Sequence, residues 1–109
     1  MFDAIADNEI HRCLRKSDLR CRILIALSQD GPMHLTMLTR RVRSDVYSVE
    51  GALYGREDEY SVPHSLLGLA LVSRGRVRAG DVFMLTPRGV SALTVAMEVR
   101  RERFDRFGN

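Results

Sequence analysis

The chain has 109 residues, of which 45% are apolar, with a formal net charge of +3 and a pI of about 9.3. This length supports one domain with a modest core, and the apolar fraction excludes a largely disordered chain. No apolar run approaches the roughly 18 residues of a membrane span, and the acidic N-terminus does not fit a signal peptide, so we expect a cytoplasmic protein. Two cysteines are too few for a disulfide framework.

Charge is distributed unevenly along the chain, and arginine supplies nearly all of the basic residues. Residues 11–43 carry eight basic and two acidic residues, whereas residues 44–60 carry one basic and five acidic residues. Lys16 is the only lysine among 17 basic residues. Because the planar guanidinium group can donate two parallel hydrogen bonds to a phosphate, the predominance of arginine over lysine favours phosphate as a partner. The alternative explanation for this predominance is the base composition of the genome.

Two helices are predicted at the N-terminal end. The first covers residues 2–16, where apolar residues recur at helical spacing. Its apolar stripe consists of Phe2, Ile5, Ala6, Ile10, Cys13 and Leu14. Ser17 has the chemistry of an N-cap for the second helix, which the segment QDGP at residues 29–32 would end. The inner face of that helix would consist of Leu19, Ile23, Ala26 and Leu27.

A pair of short helices is predicted next. Their inner faces would be formed by Leu35, Leu38 and Val42 in the first helix and by Val46, Val49 and Leu53 in the second. Ser44 and Asp45, in the turn between them, are candidate N-caps. Gly55 would close the second helix. Together with the acidic segment REDEYS and Pro63, it resembles an insertion that splits a longer helix in two. Its continuation would begin at Pro63 and turn Leu66, Leu67 and Leu69 inward.

The segment RGRVRAGDVFMLTPRG, residues 74–89, predicts a hairpin followed by a helix. Arg74, Arg76 and Arg78 alternate, so a strand would point all three to one face. The segment RAGD predicts the connection, with Gly80 at positive φ, and VFMLT predicts the return strand. Thr86 would cap a final helix that runs from Pro87 to Phe107.

The predicted fold class is mainly α with a small β-hairpin wing. The segments LTMLTRRVRSDVYSVEGAL and LLGLALVSRGRVRAGDVFMLTPRG fit a helix-turn-helix and a wing, and LTPRG stands where related regulators commonly have Leu-Thr-Pro-Lys-Gly. Over residues 17–95 the chain resembles small prokaryotic winged helix-turn-helix transcription regulators of the MarR and PadR kind. An archaeal branch of these regulators is one of the alternatives that this resemblance includes. The resemblance implies one domain over residues 1–109, with a core at 17–86 and extra N- and C-terminal helices.

The resemblance also implies a regulator that binds double-stranded DNA through its wing and its helix-turn-helix. The residues after the turn, which enter the major groove in this family, include no cation and extend to Gly51 and Ala52. Phosphates would repel the acidic segment 44–60, so we expect affinity to come from the arginines instead. The implied DNA-binding residues are Arg40, Arg41, Arg43, Tyr47, Ser48, Arg74, Arg76 and Arg78.

Each of these features has an alternative interpretation. The wing arginines would equally suit a solvated edge strand, where charge blocks aggregation. Arg40, Arg41 and Arg43 would equally suit the solvent-exposed face of a short helix. Tyr47, Tyr54 and Tyr60 fit packing or capping better than base stacking. At the level of function, the alternatives are a protein–protein interaction module without DNA binding, which the acidic segment favours, and a regulator that responds to a small molecule.

No catalytic or cofactor pattern is recognisable, so we expect neither enzyme activity nor a cofactor. A metal site is not expected either, because a fourth ligand is missing and the spacing of His11, Cys13 and Cys21 matches no zinc pattern. GRVRAG has the outer glycines of a phosphate loop, but Asp81 and Val82 stand where Lys and Ser or Thr are required. His34 and His64 are expected to be surface or capping residues.

The terminal helices predict a homodimer. A coiled-coil-like spacing in the last helix joins Val90, Leu93, Met97, Phe104 and Phe107, while a second apolar set consists of Ala92, Val95, Ala96 and Val99. One small domain seldom covers two such sets, and the stripe of the first helix, with Phe2 and Ile5, also needs a cover. Dimerisation would place two wings about a two-fold axis. The alternative is that the terminal helices pack on each other within one chain.

Overall fold

The computed structural model describes residues 4–55 and 63–107, and within these ranges the side chains of residues 8–105. The described chain forms five helices and three strands: α1 (Ala4–Lys16), α2 (Asp18–Asp30), β1 (Met33–His34), α3 (Leu35–Arg41), α4 (Val46–Tyr54), β2 (Val72–Val77), β3 (Gly80–Leu85) and α5 (Pro87–Phe107). This order confirms the predicted fold class, a winged-helix arrangement with an extra helix at each end. In the described ranges, no helix is long and apolar enough to cross a membrane.

The sheet is antiparallel, with β3 in the centre. β2 and β3 form the predicted hairpin, in which Val77 faces Gly80, and Gly80 has a φ of 121° as expected. β1 adds a third strand by placing Met33 opposite Phe83. Two residues are too few to show an alternating pattern, so β1 has no signal in the sequence. Its pairing ties the start of α3 to the wing.

One core joins all five helices to the sheet. α2 lies at its centre, in contact with α1, α3, α4, α5 and β3. The largest side chains with almost no exposed surface include Phe83, Leu14, Ile23, Leu24, Leu38 and Leu53. Ile10 and Cys13 of α1 belong to this same core. The expectation that they need cover from a partner is therefore wrong, because α2 and α5 of the same chain pack against α1.

The segment after α4 differs from its prediction. Residues 63–71 form turns and bends instead of the helix expected from Pro63, and Ala70 adopts a left-handed φ of 58°, which an α-helix does not contain. The amides of Leu66 and Leu67 nevertheless donate to the carbonyls of Ala52 and Leu53, at 3.2 and 3.1 Å. A helix would supply amides four residues along, not 14. The turn therefore caps α4 from beyond residues 56–62, which lie outside the described range.

Helix ends follow the predicted chemistry with one exception. Asp45 is the N-cap of α4, and Gly55 closes that helix with a left-handed φ of 75°, both as expected. Ser17 stands at the N-cap of α2, but its side chain makes no capping hydrogen bond. Asp18, in the first turn, instead places a negative charge at the positive end of the helix dipole.

The LTPRG segment joins the wing, the turn at 63–71 and α5. The Thr86 hydroxyl accepts a hydrogen bond from the Gly89 amide at 2.9 Å, as an N-cap does, and donates to the Ala70 carbonyl at 2.5 Å. A Cβ atom on Gly89 would lie 2.0 Å from the carbonyl oxygen of Leu71, so no larger residue fits there without a shift of the backbone. This close approach explains why the LTPRG segment has a glycine at its last position.

Loss of the Thr86 hydroxyl should measurably destabilise the fold. Thr86→Val keeps the shape of the side chain but leaves the Gly89 amide and the Ala70 carbonyl without this partner, so we expect the free energy of unfolding to fall by about 1–2 kcal/mol. Urea unfolding followed by circular dichroism measures the change. Thr86→Ser retains the hydroxyl and is the control. Equal losses in the two variants would contradict the assigned hydrogen bonds.

Candidate nucleic-acid interface

α3 and α4 pack together as a helix-turn-helix pair. Arg43 bends the chain between them with a φ of 54°, and Asp45 then starts α4. The Asp45 carboxylate accepts from the amide and the hydroxyl of Ser48, each at 2.8 Å, and these two donors lower the pKa of Asp45. Ser48, a predicted DNA contact, is thus used in capping α4.

The large exposed apolar side chains of α4 lie in its first turn. Tyr47 is 69% exposed and Val46 is 46% exposed. The expectation that Tyr47 packs or caps is wrong, because most of its side chain is exposed to solvent. Gly51 and Ala52 are buried, so they do not reach a groove as the resemblance implied. Tyr60 lies outside the described residues.

The three arginines around the end of α3 have different environments. Arg41 donates to the Asp30 carboxylate at 2.5 Å and to the Gln29 side-chain oxygen at 2.7 Å, which ties it to the end of α2. Arg40 and Arg43 are exposed, and in the described part of the chain their guanidinium groups form no ion pair. Of these three arginines, Arg41 is therefore the one that a neighbouring carboxylate engages.

The wing arginines also separate into two kinds. Arg74 and Arg76 lie in β2 two residues apart and therefore share a face. The strand predicted to carry Arg78 ends one residue earlier, because Val77 already pairs with Gly80, and Arg78 lies in the connecting turn. Arg76 and Arg78 are both exposed.

Arg74 is held against the end of α4. Its guanidinium lies 5.8 Å from the centre of the Tyr54 ring, with Nη1 3.4 Å from the Tyr54 hydroxyl and 3.8 Å from the Asp81 carboxylate. These neighbours, Tyr54 first and Asp81 second, raise the pKa of Arg74. Tyr54 in turn packs edge-on against Phe83, with ring centres 6.1 Å apart. Arg74 therefore joins the wing to the helix-turn-helix.

An open cleft of about 450 Å³ separates the wing from α3 and α4. His34 lies at its edge, where Nδ1 is 3.0 Å from the Asp81 carbonyl. His34 occupies the N-cap position of α3, as a capping histidine would, but makes no side-chain capping bond. Together with Arg74, it fixes the wing relative to the two helices.

One face of α5 is buried in the core and the other is exposed. Ala92, Ala96 and Val99 are buried in the core, whereas Leu93 and Val95 are partly buried against it. Val90, Met97 and Phe104 are 56%, 57% and 66% exposed, at intervals of seven residues. The side chains of Phe2, Ile5 and Phe107, also predicted for the interface, lie outside the described range. The stripe formed by Val90, Met97 and Phe104 is called the α5 stripe below.

The two cysteines are buried residues of the core and are not bonded to each other. Both thiols are buried, and burial raises the pKa of Cys13 and raises that of Cys21 to about 11. Both therefore stay protonated at neutral pH, which disfavours nucleophilic chemistry. Arg20 is buried beside them and donates to the Cys13 carbonyl at 3.0 Å. Among described side chains, no three of His, Cys, Asp or Glu are grouped to hold a metal ion.

Comparisons with known proteins agree with this architecture. Bordetella bronchiseptica BpsR, whose DNA binding is regulated by 6-hydroxynicotinic acid, has a similar structure, with a TM-score of 0.60 at 17% identity over 91% of this chain and 74% of that chain. At this identity the likeness shows the fold, and the finer MarR and PadR resemblance stays a prediction. The uncharacterized protein MJ0905 of Methanocaldococcus jannaschii is 38% identical over 97 residues, covering 84% of this chain and 85% of that protein. A family model described as EarA-like matches residues 10–95, and the chain therefore belongs to the EarA-like family.

Proposed function

We propose that this protein is a DNA-binding transcription regulator that binds duplex DNA through its helix-turn-helix and its wing. The observation that carries the proposal is the placement of exposed arginines on both elements of a winged-helix fold: Arg40 and Arg43 beside the turn, and Arg76 and Arg78 on the wing. The regulated DNA binding of BpsR, a protein of similar fold, supports the same conclusion.

The charge pattern assigns different tasks to the two parts of this surface. α4 contains no cation, and Glu50 lies on it, so phosphate contacts from α4 are unfavourable. The arginines that flank α4 would supply the electrostatic attraction and fix the orientation of the protein on the duplex. These phosphate contacts, made by residues outside α4, would hold the first turn of α4 against the bases in the groove.

The active form in this proposal is a homodimer formed through the α5 stripe. Three large apolar side chains at seven-residue intervals give a seam of the coiled-coil type. The opposite face of α5 is already buried in its own chain, so the stripe is the face left for a second copy. A dimer with two-fold symmetry would match a palindromic DNA site.

Binding to duplex DNA is the direct test of this function. Fluorescence anisotropy with a labelled random-sequence duplex at low salt should show saturable binding, and the logarithm of the binding constant should fall linearly with the logarithm of salt, by about 0.9 per phosphate contact. A protein that does not bind at low salt would contradict the proposal.

One second candidate is favoured by a specific observation. The first turn of α4 presents apolar Val46 and Tyr47 on a helix without cations, which also fits a protein–protein interaction module that has the winged-helix fold. In that case, the same titration would show no binding to duplex at low salt, and the apolar turn would be needed for capture of a protein partner.

A further inference from the structure

The side chains available at the first turn of α4 are apolar. Val46 and Tyr47 are the large exposed residues of this helix, whereas Val49 and Leu53 are buried. The polar residues of the same turn, Asp45 and Ser48, are bonded to each other by two hydrogen bonds of 2.8 Å. Apart from the tyrosine hydroxyl, this turn therefore offers a groove mainly hydrocarbon surface.

The residue types that usually read bases by paired hydrogen bonds are missing from α4. Residues 45–55 contain no Arg, Lys, Asn or Gln, the side chains that bind guanine or adenine through two hydrogen bonds. Glu50, which suits cytosine, is half-buried and lines the cleft toward the wing. The major groove itself carries one apolar group, the C5-methyl of thymine.

We infer that Val46 and Tyr47 read thymine methyl groups in the major groove, so that this protein selects sites rich in A·T pairs. The inference rests on the proposed function and adds the class of base that α4 recognises. Arg40 and Arg43 are exposed on the segment leading into α4 and would anchor the flanking phosphates by charge complementarity. In helix-turn-helix proteins the N-terminal residues of the second helix contact base edges, which is where both apolar side chains lie.

Duplexes that differ only in the C5-methyl group test this inference. One pair compares an alternating A·T duplex with the same duplex made with deoxyuridine, and a second compares an alternating G·C duplex with its 5-methylcytosine form. We expect the methylated member of each pair to bind more tightly, by about fourfold for each methyl group contacted, from the free energy of burying one such group. Tighter binding to the 5-methylcytosine duplex would show that the protein recognises the methyl group itself and not another property of A·T pairs.

Variants assign the effect to α4. The double variant Val46→Ser, Tyr47→Ser should lose the preference for methylated duplexes while it keeps the salt dependence of the parent, because no phosphate contact is removed. Tyr47→Phe keeps the ring and should keep the preference. Val77→Ala, which shortens an exposed apolar residue on the wing, is the matched control and should also keep it.

The possible results separate the inference from the function on which it rests. Equal binding within both pairs of duplexes overturns methyl recognition and leaves DNA binding intact. A preference that persists in the double serine variant also overturns it, because the discrimination would then come from duplex shape. Absence of binding to every duplex at low salt overturns both the inference and the proposed function.

Discussion

Replacing both Arg76 and Arg78 with glutamine should weaken binding to every duplex, whereas replacing Arg74 alone should leave the salt dependence almost unchanged. Each phosphate contact that is lost lowers the slope of log K against log salt by about 0.9, so the double variant should lose up to about 1.8. Near 0.1 M salt this corresponds to a loss in affinity on the order of 10- to 100-fold. Arg76 and Arg78 are exposed, while Arg74 is already in contact with Tyr54 and Asp81.

A salt titration of each variant by fluorescence anisotropy measures this difference. Arg12→Gln removes the same charge from an exposed position on α1 and is the control for net charge. Lysine at positions 76 and 78 should restore most of the slope, because it restores the charge. If Arg74→Gln lowers the slope as much as Arg76→Gln does, Arg74 leaves Tyr54 on binding and contacts phosphate. If the double variant keeps the slope of the parent, the wing does not contact DNA.

Features that depend on a few neighbouring residues were predictable from the sequence. The cap at Asp45, the left-handed glycines at positions 55 and 80, and the Thr86 cap each rely on a hydrogen bond or a φ angle set within about four residues. Together with helical periodicity, these signals suffice for the order of elements, and therefore for the fold class.

Features that depend on contacts between distant residues were not predictable in this way. The partner of Arg74 is 20 residues away on α4, and the partner of Arg41 is 11 residues away on α2. The turn after Pro63 forms because the carbonyls of Ala52 and Leu53 accept amides from 14 residues further along the chain, so the leucine pattern alone predicted a helix in error. Alternation in the sequence showed that the wing holds three arginines but not which of them are already engaged.

The exposed face of α4 could not be predicted for a related reason. Helical spacing placed Val46 on the inner face with Val49 and Leu53, and that prediction is wrong because Val46 is 46% exposed. Exposure of Val46 and Tyr47 is a property of the folded chain, because Val49, three residues further along the same helix, is buried. A run of valine and tyrosine gives no indication of which members face solvent until the neighbouring helices are placed.

The same limit applies to α5, where periodicity identified two apolar faces but not which one the chain covers itself. The structure buries Ala92, Ala96 and Val99 and leaves the α5 stripe exposed, so we expect the intact protein to sediment as a homodimer of the 12.4 kDa chain. Between Val90 and Phe104 the stripe extends for about 21 Å along the helix, enough for three successive layers of contacts between two helices.

Met97→Asp or Phe104→Asp should convert this dimer into a folded monomer. Aspartate at either position would place a charge without a partner in an apolar interface, which is far more costly than the loss of a side-chain contact. Because both residues are exposed in the single chain, the monomer should keep its helical content by circular dichroism and its resistance to urea, once dissociation is taken into account. Sedimentation equilibrium at micromolar concentration measures the mass.

Ser91→Asp provides the matched control, since it introduces the same charge at an exposed position of α5 that lies about 100° around the helix from Val90. This variant should remain a dimer. Each monomeric variant should also bind a palindromic duplex more weakly than the parent, because two linked wings engage the two half-sites together whereas single chains bind them one at a time. A parent protein that sediments at 12.4 kDa, or a Ser91→Asp variant that dissociates as readily as Met97→Asp, would rule out the α5 stripe as the dimer seam.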